Sequence, residues 1–139
     1  MSSFKSITIE STVNAPIEKV WESFTKPEHI TQWNAATPEW HSPRAENDLR
    51  TGGTFNYRME AKDGSFGFDF GGTYDEVQPN KRIAYTMGDN RKVEVDFIPE
   101  GSGVRVVERF DAESTNSEEM QRAGWQAILD NFKGYTEKL

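Results

Sequence analysis

Residues 117–139 narrow the choice of fold more than any other stretch. They read as one long helix. Ser117 or Asn116 can cap its start, and Glu118 and Glu119 suit the positive end of its dipole. Lys133 and Lys138 suit the negative end. At about 100° per residue, Met120, Gly124, Trp125, Ile128, Leu129, Phe132, Tyr135 and Leu139 spread over roughly half the circumference. Arg122, Gln126, Asp130, Lys133 and Glu137 fill the opposite side. Most helical stability in a protein comes from packing an apolar face. A stripe this wide and this aromatic therefore requires a large apolar partner elsewhere in the chain.

The partner is readable as strands. Residues 3–13 alternate, with Ile7, Ile9 and Val13 on one side and Thr8, Glu10 and Thr12 on the other. Asn14-Ala15-Pro16 stops this strand and opens a helix with Ile17, Val20, Trp21 and Phe24 on one face. Pro27 opens a second short helix that buries Ile30 and Trp33. Residues 34–50 are the least regular part, with a short strand expected over 44–50. Phe55, Tyr57, Met59 and Ala61 then alternate with polar residues. Asp63-Gly64, a pair favoured in two-residue hairpins, is the strongest turn signal, and Phe66, Phe68 and Phe70 return beyond it. Gly71-Gly72 reads as a bulge or sharp bend in that strand. Three further alternating runs follow: Ile83, Tyr85 and Met87; Val93, Val95 and Phe97; then Val104, Val106, Glu108 and Phe110. Short turns between successive strands mean an antiparallel meander. The expectation is an α+β domain over residues 1–139, with a curved antiparallel sheet closing round the terminal helix and a space left between them.

Charge and composition exclude several classes. The net charge is -7 and no Lys/Arg cluster occurs, so the chain repels phosphate backbones and nucleic acid is not expected as a partner. There is no cysteine, hence no disulfide framework and no thiolate chemistry. The opening Met1-Ser2-Ser3-Phe4-Lys5 has no apolar leader segment, and no run has membrane-spanning length. A cytoplasmic protein is expected. Two histidines far apart in the chain give no zinc-site spacing. No phosphate-loop, dinucleotide or nucleophile-elbow pattern occurs either, so no metal or cofactor is expected.

The candidate ligand wall follows from the strand and helix faces: Phe55, Tyr57, Met59, Phe68, Phe70, Tyr85, Val95, Phe97, Val106, Trp125 and Leu129. Whether these enclose a void or simply close-pack is open at this level. So is the phase of the strand through Phe66, Phe68 and Phe70, because a bulge at the glycine pair exchanges its faces. If those rings face inward, Asp69 faces water. Glu108 falls between Val106 and Phe110 on the face that meets the helix. A buried carboxylate there must be paired, protonated or reached by water. It can pair with an arginine, hold a polar ligand group, or act as an acid or base. Gln121 is a candidate for the polar end of a cavity, and Trp40-His41 for a loop over its mouth. The candidate acid–base residues are Glu108, His41 and Tyr85.

The ordered set Ala15-Pro16-Ile17-Glu18-Lys19-Val20-Trp21, Pro27-Glu28, Trp33, Gly52-Gly53, Gly72-Thr73-Tyr74-Asp75-Glu76-Val77, Pro79 and Gly124-Trp125 resembles the START-like, or SRPBCC, superfamily. Within it the resemblance is to homologues of the activator of heat-shock protein ATPase. It implies a helix-grip fold, a seven-stranded antiparallel sheet wrapped on a long C-terminal helix, with two short helices after the first strand. Relatives in the superfamily bind sterols, lipids, polyketides and plant hormones in the enclosed cavity, and some are cyclases or dehydratases. The resemblance thus implies a hydrophobic small molecule as ligand, with catalysis as the alternative. A third expectation is protein interaction, as a homodimer or with a chaperone partner. The eukaryotic co-chaperones carry an additional N-terminal domain, which is not expected here.

Overall fold

The structure is a computed structural model that describes residues 5–139. The first strand, β1, spans Ser6–Val13, and the expected strand positions Ser3 and Phe4 lie outside the described residues. Two helices follow, α1 over Ile17–Thr25 and α2 over Pro27–Trp33, with proline at the first position of the second. Six strands come next: β2 Trp40–Asn47, β3 Thr54–Ala61, β4 Gly67–Gln78, β5 Arg82–Met87, β6 Lys92–Glu100 and β7 Gly103–Asp111. The last helix, α3, spans Glu118–Glu137, and the Ser117 hydroxyl accepts from the Met120 amide at 3.1 Å as its N-cap. No described helix is long and apolar enough to cross a membrane.

The seven strands form one curled antiparallel sheet in the order β1-β7-β6-β5-β4-β3-β2. Strands β2 to β7 are a meander, and β1 returns to pair with β7 from Ser6 opposite Asp111 to Val13 opposite Val104. Ile7, Ile9, Val13, Val93, Val95, Phe97, Val104, Val106 and Phe110 are buried on its inner face, as their alternation requires. Helix α3 grips this face and the helical pair together. Trp125 stacks on Phe110 of β7, with centroids 4.1 Å apart and planes 9° from parallel. Phe132 meets the edges of Phe24 in α1 at 5.2 Å and Trp33 in α2 at 5.0 Å.

Three expectations need correction. Strand β2 begins at Trp40, ahead of the expected 44–50, because Trp40 and His41 extend the ladder opposite Ala61 and Glu60. Residues 48–53 are a turn instead, closed by bonds from the Arg50 amide to the Asp48 carbonyl and from the Gly53 amide to the Arg50 carbonyl. The glycine pair in β4 is no bulge. Gly71 and Gly72 stay in register with Asn56 and Phe55, and the irregularity falls between Tyr74 and Glu76 against β5. The glycines answer to close approach: a Cβ on Gly71 would stand 2.6 Å from the Phe55 carbonyl oxygen. Inward phase is therefore kept through Phe68 and Phe70, and Asp69 faces outward to Arg58.

The third correction concerns α3. Its buried positions are Gln121, Leu129, Phe132 and Thr136, while Met120 and Leu139 are 65% and 49% exposed. The polar flank does not simply face water. Arg122 Nη1 donates to the Thr8 carbonyl at 2.9 Å, Gln126 Nε2 to Glu10 at 3.2 Å, and Lys133 Nζ to Thr12 at 2.7 Å. The Asn14 amide donates to Glu137 Oε2 at 2.8 Å. Those carbonyls point outward from the free edge of β1, so the helix occupies the row of groups a sheet edge leaves unpaired.

Candidate functional site

Between the sheet and the three helices lies a cavity of about 210 Å³. Period-two alternation places Phe55, Tyr57 and Met59 of β3 and Ile83 and Tyr85 of β5 on its wall. Strand β4 adds Phe68, Phe70 and Tyr74, and β7 adds Glu108. Trp125 and Ile128 reach it from α3 one turn apart, Phe24 and Thr25 from the end of α1, and Trp33 and Asn34 from the end of α2. The rings brace one another. Phe55 meets the edge of Tyr85 at 4.7 Å and Phe70 meets that of Trp125 at 6.1 Å.

Glu108 is 7% exposed, between Ile9 of β1 and Val95 of β6 in the ladder. No described residue donates a hydrogen bond or a cation to its carboxyl. Burial alone pushes its pKa up to about 8, so the acid is mainly neutral at pH 7. Arg82 and Arg109 lie on the other face, while Arg91, in the turn between β5 and β6, pairs with Asp89 and its charge reaches Tyr85. Arg109 pairs with Glu94, and Arg82 spans Glu76 at 3.1 Å, Glu94 at 3.0 Å and Asp96 at 2.9 Å. Burial holds the Tyr85 hydroxyl well above its ordinary range, and the Glu108 carboxyl adds to this.

A second polar group runs along the wall formed by β3 and β4. The Tyr57 hydroxyl lies beside that of Tyr74, and Tyr74 Oη donates to Asn47 Oδ1 at 2.5 Å. Asn47 Nδ2 donates to the Thr25 carbonyl at 2.7 Å, tying the strands to the end of α1. Burial pushes the Tyr74 hydroxyl up to about 12 and Tyr57 well above the usual tyrosine value. These hydroxyls are neutral hydrogen-bonding groups at any physiological pH.

Of the residues expected on the wall, Phe55, Tyr57, Met59, Phe68, Phe70, Tyr85, Glu108 and Trp125 meet at the cavity. Val95, Phe97, Val106 and Leu129 do not; they are close-packed core. Phe97 shows why, since α1 covers it with Trp21 at 5.2 Å and Phe24 at 5.3 Å. Gln121 is also elsewhere: its Nε2 donates to the Glu113 and Asn116 carbonyls at 3.1 and 2.8 Å, and its Oε1 accepts from the Glu113 amide at 2.9 Å. It ties down the connection into α3. His41 pairs in register with Glu60, and its Nε2 stands 3.7 Å from Glu60 Oε1 away from the cavity. Trp40 packs beside the wall on Phe66 and Phe68, at 5.9 and 6.0 Å. Among the three candidate acid–base residues, the fold brings only Glu108 and Tyr85 to one space.

Sequence reasoning missed Phe24, Thr25, Trp33, Asn34, Tyr74, Ile83 and Ile128. Two of these had a signal: Ile83 shares the parity of Tyr85, and Ile128 lies one turn from Trp125. The helical-pair residues had none, because nothing local says where α1 and α2 lie against the sheet.

Residues 14–137 match the family described as Activator of Hsp90 ATPase homolog 1-like protein. The solution structure of an AHSA1-like protein from Aeromonas hydrophila is 46% identical and superposes with a TM-score of 0.91, over 96% of this chain and 93% of that one. A solution structure from Cytophaga hutchinsonii is 56% identical with a TM-score of 0.84, over 96% and 92%. A crystal structure from Nitrosomonas europaea is 20% identical with a TM-score of 0.84, over 99% and 97%, which speaks to fold alone. No curated protein matches the chain.

Proposed function

As the chain belongs to the Activator of Hsp90 ATPase homolog 1-like family, whose START-like fold commonly encloses hydrophobic ligands, we propose that it binds a small hydrophobic molecule between the sheet and α3. One observation carries this reading: the cavity is walled by aromatic and aliphatic side chains, with a few convergent polar groups. Removing a ligand's apolar surface from water is favourable by about 25 cal/mol per Å². The tyrosine hydroxyls and Glu108 then fix orientation. Pockets for drug-sized molecules run to about 300–1,000 Å³. At about 210 Å³, this cavity suits a compact body of one or two rings better than a whole sterol. The test is native mass spectrometry of freshly purified protein, followed by titration of small ring compounds against Trp33 and Trp125 fluorescence. A co-purified mass or a saturable change supports the reading. Neither in any case defeats it.

Glu108 and Tyr85 in one cavity favour a second reading, a cyclase- or dehydratase-type reaction with Glu108 as general acid. An acid with a pKa near the working pH is suited to that task. Turnover of a bound polyketide-like ketone that Glu108→Gln abolishes, with binding retained, is the result this reading requires.

A further inference from the structure

We propose, building on the cavity-binding reading above, that the preferred occupant is an organic cation: an ammonium group on a compact apolar body, set beside Glu108 and enclosed by aromatic rings. Three observations lead there. Glu108 is more than nine-tenths buried, lines the cavity, and takes no hydrogen bond or cationic partner from any described residue. Among the described residues no lysine, arginine or histidine lines the cavity, so the wall offers no cation to an anionic ligand. Nine of the fifteen lining residues are aromatic, which favours a cation over a neutral group, since ring faces carry negative charge density and attract ammonium groups. A net charge of -7 adds a long-range field of the same sign.

Neutral alcohols and amides also fit an acid that is protonated. For them, however, the rings supply contact and nothing electrostatic. A carboxylate ligand would meet Glu108 and no compensating cation. An ammonium group satisfies the acid and the ring faces at once.

The groups around Glu108 make the charge dependence simple. The titratable side chains that share its cavity are Tyr57 on β3, Tyr74 on β4 and Tyr85 on β5, all neutral across physiological pH, and the charge that reaches Tyr85 from outside the wall is Arg91, itself paired with Asp89. On β1 and β6 its ladder partners are Ile9 and Val95, and the three helices line the cavity with no ionisable residue. A bound cation holds Glu108 ionised. In the empty cavity the acid keeps its proton up to about pH 8. Binding below that pH therefore expels one proton, and affinity rises as pH rises.

The experiment compares benzyltrimethylammonium, whose charge does not titrate, with neopentylbenzene, its neutral carbon isostere, by tryptophan fluorescence between pH 6 and 9. The expected result is a cation bound at least tenfold tighter than the isostere at pH 8. Its affinity should gain about tenfold per unit from pH 6 to 8 and level off above. Glu108→Gln, checked for fold by circular dichroism, should lose the pH dependence and most of the cation's advantage over the isostere, keeping only what the rings supply. If the isostere binds as tightly as the cation, or the cation's affinity is flat with pH in the unmodified protein, the charge assignment is overturned while the cavity reading stands. If neither probe binds, both fail together. The pH series on the unmodified chain decides the matter even where the variant does not fold.

Discussion

Glu108 shows how one side chain sets a property of the whole protein. Its alternation with Val106 and Phe110 turns it inward, and the same alternation sends Arg109 outward to Glu94. The result is a buried acid with no partner among the described residues. Its pKa in the folded state, about 8, lies above the ordinary glutamate value, so the folded protein holds a proton that the unfolded chain has released between about pH 4.5 and 8. The sign follows: its contribution is complete below the unfolded pKa and is lost as pH rises toward 8. Glu108→Gln removes this dependence. Thermal melts at several pH values should show the unmodified protein losing, relative to Glu108→Gln, on the order of 4 kcal/mol from pH 4.5 to pH 8. Equal slopes for the two proteins would mean that the acid has a partner or is solvated.

Two elements owe their fit to groups far apart in the chain. The edge of β1 is covered because Arg122, Gln126 and Lys133 lie along one flank of α3 and meet alternate outward carbonyls at Thr8, Glu10 and Thr12. Exposed hydrogen bonds of this kind stabilise by about 0.5–1.5 kcal/mol each. Replacing Arg122, Gln126 and Lys133 together by alanine should lower stability by roughly 2 kcal/mol and speed aggregation below the melting temperature, read by light scattering. Loss of stability without faster aggregation would count against edge protection. The glycines of β4 and α3 should respond in opposite ways. Gly71→Ala forces a methyl against the Phe55 carbonyl and should cost about 2 kcal/mol or more in denaturant unfolding. Gly134→Ala meets nothing within 4 Å, and relieves the poor helix propensity of glycine, for a gain of up to about 1 kcal/mol.

For the molecule as a whole, the cavity is an opening left where three helices and a curled sheet do not meet. Filling it separates binding from folding. Ile128→Trp places a larger side chain on the α3 wall. It should weaken small-ring binding more than tenfold in fluorescence titrations and leave the melting temperature within a few degrees. Apolar filling offsets the strain of overpacking, which runs to about 1–3 kcal/mol in a tightly packed core. Unchanged binding in a folded Ile128→Trp protein would move the ligand away from this cavity. Most of the wall that comes from strands was legible in advance. Phe55, Tyr57 and Met59 carry a period of two that any reader can follow. The part supplied by Phe24 and Trp33 was not, because those residues look the same whether they face a void or a neighbour.

The chain by itself determined a long terminal helix within residues 117–139, a cap at Ser117 or Asn116, the alternation of the strands outside β4 and the inward direction of Glu108. These depend on residues a few positions apart, through the 3.6- and 2-residue periods that tie side-chain direction to backbone geometry. Only the tertiary structure decided what each side chain meets. Register with Glu60 took His41 away from the cavity, and bonds to Glu113 and Asn116 took Gln121. The packing of α1 over Phe97 closed one end of the sheet, and the gap beside Trp125 stayed open. Direction is a local property of the backbone. Occupancy of the space ahead depends on segments more than a hundred residues away, as the Arg122–Thr8 contact shows.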